Sequence, residues 1–180
     1  MSRESSLDRT SKFLSLVLRH KPEVIGVTLD KNGWANVEAI LAGMNICRVT
    51  LDEIVRTDRK GRYEYNESGD KIRARQGHSV DVDVELEEKE PPEILYHGTA
   101  TKFMSSIETI GLIPQSRKYV HLSSDRTTAS KVGARHGKPV ILKVMAQEMY
   151  NDGYKFYLSR NGVWLTDNVK PKYLKLCWGE

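Results

Sequence analysis

The chain has 180 residues, 39% of them apolar, and a formal net charge of +4, which allows one domain or two small ones around a hydrophobic core and excludes a collagen-like or low-complexity chain. It has no apolar leader core and no window near the ~18 uninterrupted apolar residues of a membrane span, so the expectation is a cytoplasmic protein without membrane association. Cys47 and Cys177 fit neither a disulfide framework nor a ligand cluster, and the five histidines lack metal-ligand spacing, so no metal is expected.

In chain order, Leu14, Val17 and Leu18 follow helical spacing and Pro22 limits the run, predicting a first helix over 8–20. Its end sets Arg19 beside His20. A fixed cation next to a titratable imidazole suits an anionic substrate, and it equally suits the negative end of a helix dipole; both readings stand. A second helix follows Gly33-Trp34-Ala35, with Asn36 as its N-cap. Thr50-Leu51-Asp52-Glu53 has capping-box spacing for a third helix through Ile54 and Val55. Residues 63–65 and 71–74 flank a turn-rich segment and predict a hairpin. Three helices and a two-stranded wing predict a winged-helix-like module over 1–80, a type that binds nucleic acid or mediates protein contacts. Arg19, Arg135 and, on the wing beside Arg75, Arg73 are candidate phosphate ligands in polar or glycine-rich settings, with backbone amides of Gln76-Gly77-His78 as further donors. Strand alternation is read as turning only one of the two wing arginines inward, and on the alternative reading both face solvent.

Residues 81–93 hold seven acidic residues and one basic residue between two basic flanks, a distribution that points to an anionic partner such as nucleic acid or a phosphorylated ligand. The alternation from Asp81 to Leu86 predicts an edge strand, and Pro91-Pro92 an extended connector. Residues 94–180 then read as mixed. Strands are expected over 94–97, 120–123, 140–144, 162–166 and 173–176. A helical stripe of Phe103, Met104, Ile107 and Ile110 stops at Gly111, and a helix over 127–136 closes at Gly137. Short strands with two helices imply a compact α+β domain with a cleft. Within it, Tyr96-His97-Gly98-Thr99 sits at a strand end, where a histidine suits a ribose hydroxyl and an exposed glycine backbone suits a flat amide; a satisfied core histidine is the other reading. No GxGxxG follows a strand and no Walker A loop is present.

Five motifs in this order, Leu18-Arg19-His20-Lys21-Pro22, Ile72-Arg73-Ala74-x-Gln76-Gly77-His78-Ser79, Tyr96-His97-Gly98-Thr99, Val120-His121-Leu122-Ser123 and Gly133-x-Arg135-His136-Gly137, resemble the RNA 2′-phosphotransferases (Tpt1/KptA), bacterial members above all, over about residues 8–178. The resemblance implies a winged-helix-like RNA-binding lobe (1–80), an acidic linker (81–93) and an ADP-ribosyltransferase-like lobe (94–180) with an NAD cleft. It implies NAD as a consumed co-substrate and RNA with an internal 2′-phosphate as partner; the chain is expected to be a monomer. The family's Arg-His-Arg-Arg set falls on Arg19, His20, Arg73 and Arg135, which would act in catalysis, the three arginines also holding the phosphate with Gln76, Gly77 and His78. Arg75 stands at a variable position. NAD would contact His97, Gly98, Thr99, His121, Ser123 and Val163. His121 takes a position that is tyrosine in ADP-ribosyltransferases generally, and Val163 falls where many carry a glutamate, which disfavours ordinary protein ADP-ribosylation. Two rival functions remain: ADP-ribosyl transfer to nucleic-acid phosphates or protein, and a non-enzymatic winged-helix nucleic-acid-binding protein.

Overall fold

The computed structural model describes residues 6–177, and by contact the chain divides at Glu85/Leu86 into two units. Residues 1–5 and 178–180 of the two expected lobes lie outside the described residues. Among the described residues the architecture is α+β, with six α-helices and three small sheets. No helix among the described residues is long and apolar enough to cross a membrane.

The first unit comprises α1 (Ser6–Arg19), β1 (Ala35–Asn36), α2 (Val37–Met44), α3 (Arg48–Thr57), β2 (Tyr63–Tyr65) and β3 (Lys71–Ala74). Leu14, Val17 and Leu18 of α1 are fully buried against Ile40, Leu51, Ile54 and Ile72, so the helical spacing read from sequence is the packing face. Asn36 caps α2 as expected, its side chain accepting the Ala39 N–H at 3.0 Å. The helix α3 begins earlier than Thr50. Cys47 is the extended N-cap residue, and an Arg48–Asp52 ion pair of 2.9 Å spans the first turns, leaving Thr50 inside the helix. The hairpin forms with Glu64 opposite Arg73, and β1 joins it, giving a three-stranded sheet in the order β1-β3-β2 where two strands were expected.

The expected edge strand over 81–86 does not form. Its alternation serves burial of Val82 instead, and Glu85 adopts φ 55. The segment is fastened through Asp83, whose N–H donates to the Lys31 carbonyl and whose carbonyl accepts from Asn32 Nδ2. Pairing starts only at β4 (Glu87–Glu88), in the second unit, against β8 (Tyr157–Leu158).

The second unit also contains β5 (Leu95–Ala100), α4 (Met104–Ile110), β6 (Val120–Leu122), α5 (Arg126–Gly133), β7 (Pro139–Val144), α6 (Ala146–Asn151), β9 (Trp164–Thr166) and β10 (Leu174–Leu176). Antiparallel sheets β10-β7-β5 and β4-β8-β9-β6 share a core that includes Leu95, Leu122, Leu142, Phe156 and Trp164. The helix α6 was not anticipated; it makes three helices in this unit where two were expected. The helix α5, capped by Asp125 on the Thr127 and Thr128 amides, ends at Gly133, short of His136. Its final bonds tighten to three-residue spacing, from Arg135 N–H to Val132 and from His136 N–H to Gly133.

The early stop has a structural counterpart. A Cβ on Gly98 would lie 1.7 Å from the Ala129 carbonyl oxygen, and one on Gly133 2.5 Å from that of Thr99. Strand β5 therefore rests backbone-to-backbone on α5, a closeness only glycine permits. Gly98→Ala should lower the thermal midpoint by about 10 °C, roughly 3 kcal/mol. Gly153→Ala, with φ +88 but open space around it, should cost only ~1 kcal/mol by the same calorimetric measurement.

Candidate active site

In the first unit the helix end and the glycine loop are tied together. The Ser79 N–H donates to the Arg19 carbonyl at 2.9 Å, the Val80 N–H does so at 3.4 Å, and His20 Nδ1 lies 2.9 Å from Ser79 Oγ. The last turn of α1 thus gains donor partners for its carbonyls from the loop, and Arg19 and His20 are held where it passes. Arg19 is half-buried, with its Nε and one Nη enclosed. Gly77 has φ 87, the turn that reverses the loop, and His78 is buried. Gln76 Oε1 is buried with no hydrogen-bond partner among the described residues. The structure sets Arg19 and His20 beside Ser79, at the end of the loop that carries Gln76, Gly77 and His78.

Arg73 lies in a buried network of polar partners. It is 2% exposed, with Nε on Glu64 at 2.7 Å, Nη1 on Glu85 and the Asn32 carbonyl at 3.2 Å each, and its guanidinium 4.3 Å over the Trp34 ring. Glu64, itself buried, also pairs with Arg75 at 3.2 Å. The expectation that only one arginine turns inward fails because residues two apart point to the same face of a strand, so both converge on one carboxylate. Arg73 serves here as a buried ion-pair hub. Sequence reasoning passed over Arg62 at the foot of β2. Its backbone N–H and one Nη hold the buried Asp58 carboxylate, while its side chain stays 30% exposed. The sequence signal was Asp58-Arg59-Lys60-Gly61-Arg62, an acid four residues before an arginine across a glycine turn.

In the second unit β5 and β6 meet at one bridge, Tyr96 and Ser123 exchanging N–H···O bonds of 2.7 and 2.8 Å. The same register would next pair Gly98 with His121, but the His121 carbonyl accepts instead from His97 Nδ1 at 3.1 Å. The ladder is broken there. Strand parity turns the N–H and C=O of Gly98 toward the β6 edge, as for Tyr96, and no ladder bond receives them among the described residues. A carbonyl only accepts, so His97 carries its proton on Nδ1 and offers a lone pair at Nε2. Burial pushes this imidazole below the usual histidine range, the His121 carbonyl partly opposes that, and His136 adds to it.

Ser123 Oγ accepts the Asp125 N–H, and the β6–β9 register continued by one residue sets Val163 opposite Ser123. Val163 bonds only through its backbone, in a turn with Ser159. Thr99 is buried under α5. His97, Gly98, His121, Ser123 and Val163 therefore cluster around the bridge, with Thr99 beneath. Arg135 is exposed on the turn after α5 and makes no ion pair among the described residues. The cluster presents a lone pair, an imidazole and a donor–acceptor backbone pair, which suits a planar amide with a neighbouring hydroxyl.

A family model described as "RNA 2'-phosphotransferase, Tpt1 / KptA family" matches residues 5–168. The chain is 55% identical over 170 residues to a "Probable RNA 2'-phosphotransferase" of Flavobacterium johnsoniae, covering 92% of this chain and 93% of that protein. It is 51% identical over 178 residues to the "RNA 2'-phosphotransferase" of Escherichia coli strain K12, covering 96% and 97%. A "Probable RNA 2'-phosphotransferase" of Shigella boydii is similar to the same degree.

Arg73→Ala takes from the buried Glu64 its shorter ion pair, so urea unfolding should show a loss of roughly 3–5 kcal/mol. Arg75→Ala, on the more exposed partner, should cost under ~1 kcal/mol. Comparable losses for the two would remove the hub assignment. His97 adds a pH dependence: because its folded pKa lies below the unfolded value of 6.5, the unfolded chain binds the proton more readily. Its contribution is present above pH 6.5 and is lost as pH falls below it, and His97→Gln should flatten that acid limb of the stability curve.

Proposed function

The chain belongs to the RNA 2′-phosphotransferase (Tpt1/KptA) family, and from that membership we propose that it removes an internal 2′-phosphate from RNA at the expense of NAD. The first unit acts as the winged-helix-like RNA lobe and the second as the ADP-ribosyltransferase-like NAD lobe. The observation that carries the NAD assignment is the broken ladder at Gly98. Its N–H and C=O match the carbonyl and amino group of a carboxamide, and the His97 Nε2 lone pair accepts from a ribose hydroxyl. With nicotinamide held flat there, the adjacent ribose carbon faces the incoming nucleophile.

The reaction runs in two displacements. An oxygen of the RNA 2′-phosphate attacks the nicotinamide-bearing ribose carbon, the carbon–nitrogen bond breaks, and nicotinamide leaves. The neighbouring ribose 2″-hydroxyl then attacks phosphorus, its proton passing to solvent, and the bond to the RNA 2′-oxygen breaks. The products are RNA with a free 2′-hydroxyl and ADP-ribose 1″,2″-cyclic phosphate. As an imidazolium, His20 donates from both nitrogens, Nδ1 to Ser79 Oγ and Nε2 to the departing 2′-oxygen. Arg19 and the amides of residues 76–78 neutralise the phosphate, and Arg135 supplies a further guanidinium to the same reaction. Arg73, fixed on the wing by Glu64 and Glu85, stays in the phosphate-binding set that the family motif implies. Arg62, fixed by Asp58 while its Nε and second Nη make no hydrogen bond among the described residues, is a further guanidinium of the same unit. An apolar Val163 leaves the second unit without a carboxylate base at that position, which disfavours protein side chains as acceptors; a phosphate nucleophile needs none.

Incubation with NAD and an oligoribonucleotide carrying one internal 2′-phosphate should release one nicotinamide per phosphate removed. Dephosphorylation without nicotinamide release would overturn the proposal. His20→Ala should accumulate RNA bearing an ADP-ribosylated 2′-phosphate, visible by gel shift and mass spectrometry, because the histidine serves only the second displacement. Arg19→Ala and Arg135→Ala should each slow the overall reaction about a hundredfold, near 3 kcal/mol.

A further inference from the structure

Ahead of β6 the chain carries an arginine that neither displacement uses. Arg117 closes a turn, its N–H on the Pro114 carbonyl at 3.0 Å and Gln115 in a left-handed conformation, and its Nη1 lies 2.7 Å from His121 Nδ1. A guanidinium has no acceptor atom, so it donates, and Nδ1 of His121 must present its lone pair. The ring proton of neutral His121 therefore sits on Nε2. One strand away the arrangement is reversed: His97 Nδ1 faces a carbonyl, which can only accept, so its Nε2 is bare. Two imidazoles at one strand junction are thus set in opposite tautomers by partners of fixed polarity.

We propose that Arg117 is a positioning residue for the NAD site, fixing His121 as an Nε2–H donor to an acceptor oxygen of the dinucleotide. His97 supplies the complementary acceptor. A ribose hydroxyl donates to His97 Nε2 and a proton-free diphosphate oxygen accepts from His121 Nε2–H, so exchanging the two sets the His97 lone pair against an acceptor. The bond also fixes the plane of the His121 ring, which on its strand faces away from the buried Val120 and Leu122. This assignment rests on the NAD reading given above.

The test uses the full chain labelled with nitrogen-15 in histidine. Long-range proton–nitrogen correlations distinguish a protonated from a bare ring nitrogen for each assigned histidine. Wild-type protein should show His121 protonated at Nε2 and His97 at Nδ1. Arg117→Met keeps the stem but no donor; it should convert His121 to a mixture of tautomers, leave His97 unchanged, and raise KM for NAD roughly threefold or more with kcat within about twofold. Arg117→Lys, which restores a donor, should recover both the single tautomer and KM. An Arg117→Met protein with the wild-type tautomer and KM would overturn the proposal, as would a wild-type His121 protonated at Nδ1. Should Arg117→Met fail to fold, Arg117→Lys decides: an ammonium has no acceptor atom and must keep the Nε2–H tautomer, and Nδ1 protonation would refute the proposal. A wild-type protein with the expected tautomers that neither binds nor consumes NAD would instead overturn the NAD reading, and the proposed role of Arg117 with it.

Discussion

The backbone contact between β5 and α5 at Gly98 and Gly133 governs the second unit. Because neither residue carries a Cβ, the strand lies on the helix at a distance no other pair would tolerate. The contact positions His97 next to the point where β5 leaves β6, and it brings α5 to its end just before Arg135. Two short elements with little apolar surface of their own are thereby locked into one frame. That rigidity lets a strand be left unpaired at Gly98, where a buried backbone ordinarily demands a partner.

The first unit solves a related problem with charge. Its sheet is only three short strands, too small to hold a loop by ladder bonds. Arg73 joins the hairpin, the Asn32 carbonyl and Glu85 through one guanidinium stacked on Trp34, and Glu64 draws in Arg75 as well. Buried ion pairs of this kind contribute modest net stability, yet removing one partner leaves an uncompensated charge, so they hold geometry firmly. Downstream of that hub, the 76–79 loop reaches the end of α1, and His20 is oriented by Ser79.

Histidine chemistry in the second unit is set by the neighbours' fixed polarity and not by exposure alone. A carbonyl on one ring and a guanidinium on the other assign the protons, and burial keeps His97 neutral at physiological pH. A neutral pair of opposite tautomers can read a donor and an acceptor on the same ligand, which a pair of imidazolium ions could not.

The sequence alone determined what depends on local periodicity and capping: α1 and its buried face, the Asn36 cap, the hairpin, β5, β6 and β7, and the motif residues near Arg19, His97 and His121. It also carried the family, because five motifs in order are a pattern that short-range chemistry preserves. It misjudged elements whose limits are imposed from outside. The helix α5 ends at Gly133, against β5, although its local pattern runs on to His136. The 81–86 segment alternates like a strand but has no neighbour to pair with, so it is held as a loop by Lys31, Asn32 and Arg73. Motif position marks Arg73 as a phosphate ligand, and only the fold reveals the two carboxylates, the carbonyl and the indole that surround it. The tautomers of His97 and His121 likewise belong to the tertiary structure, since each depends on a partner atom that chain folding, not neighbouring sequence, brings within hydrogen-bond range.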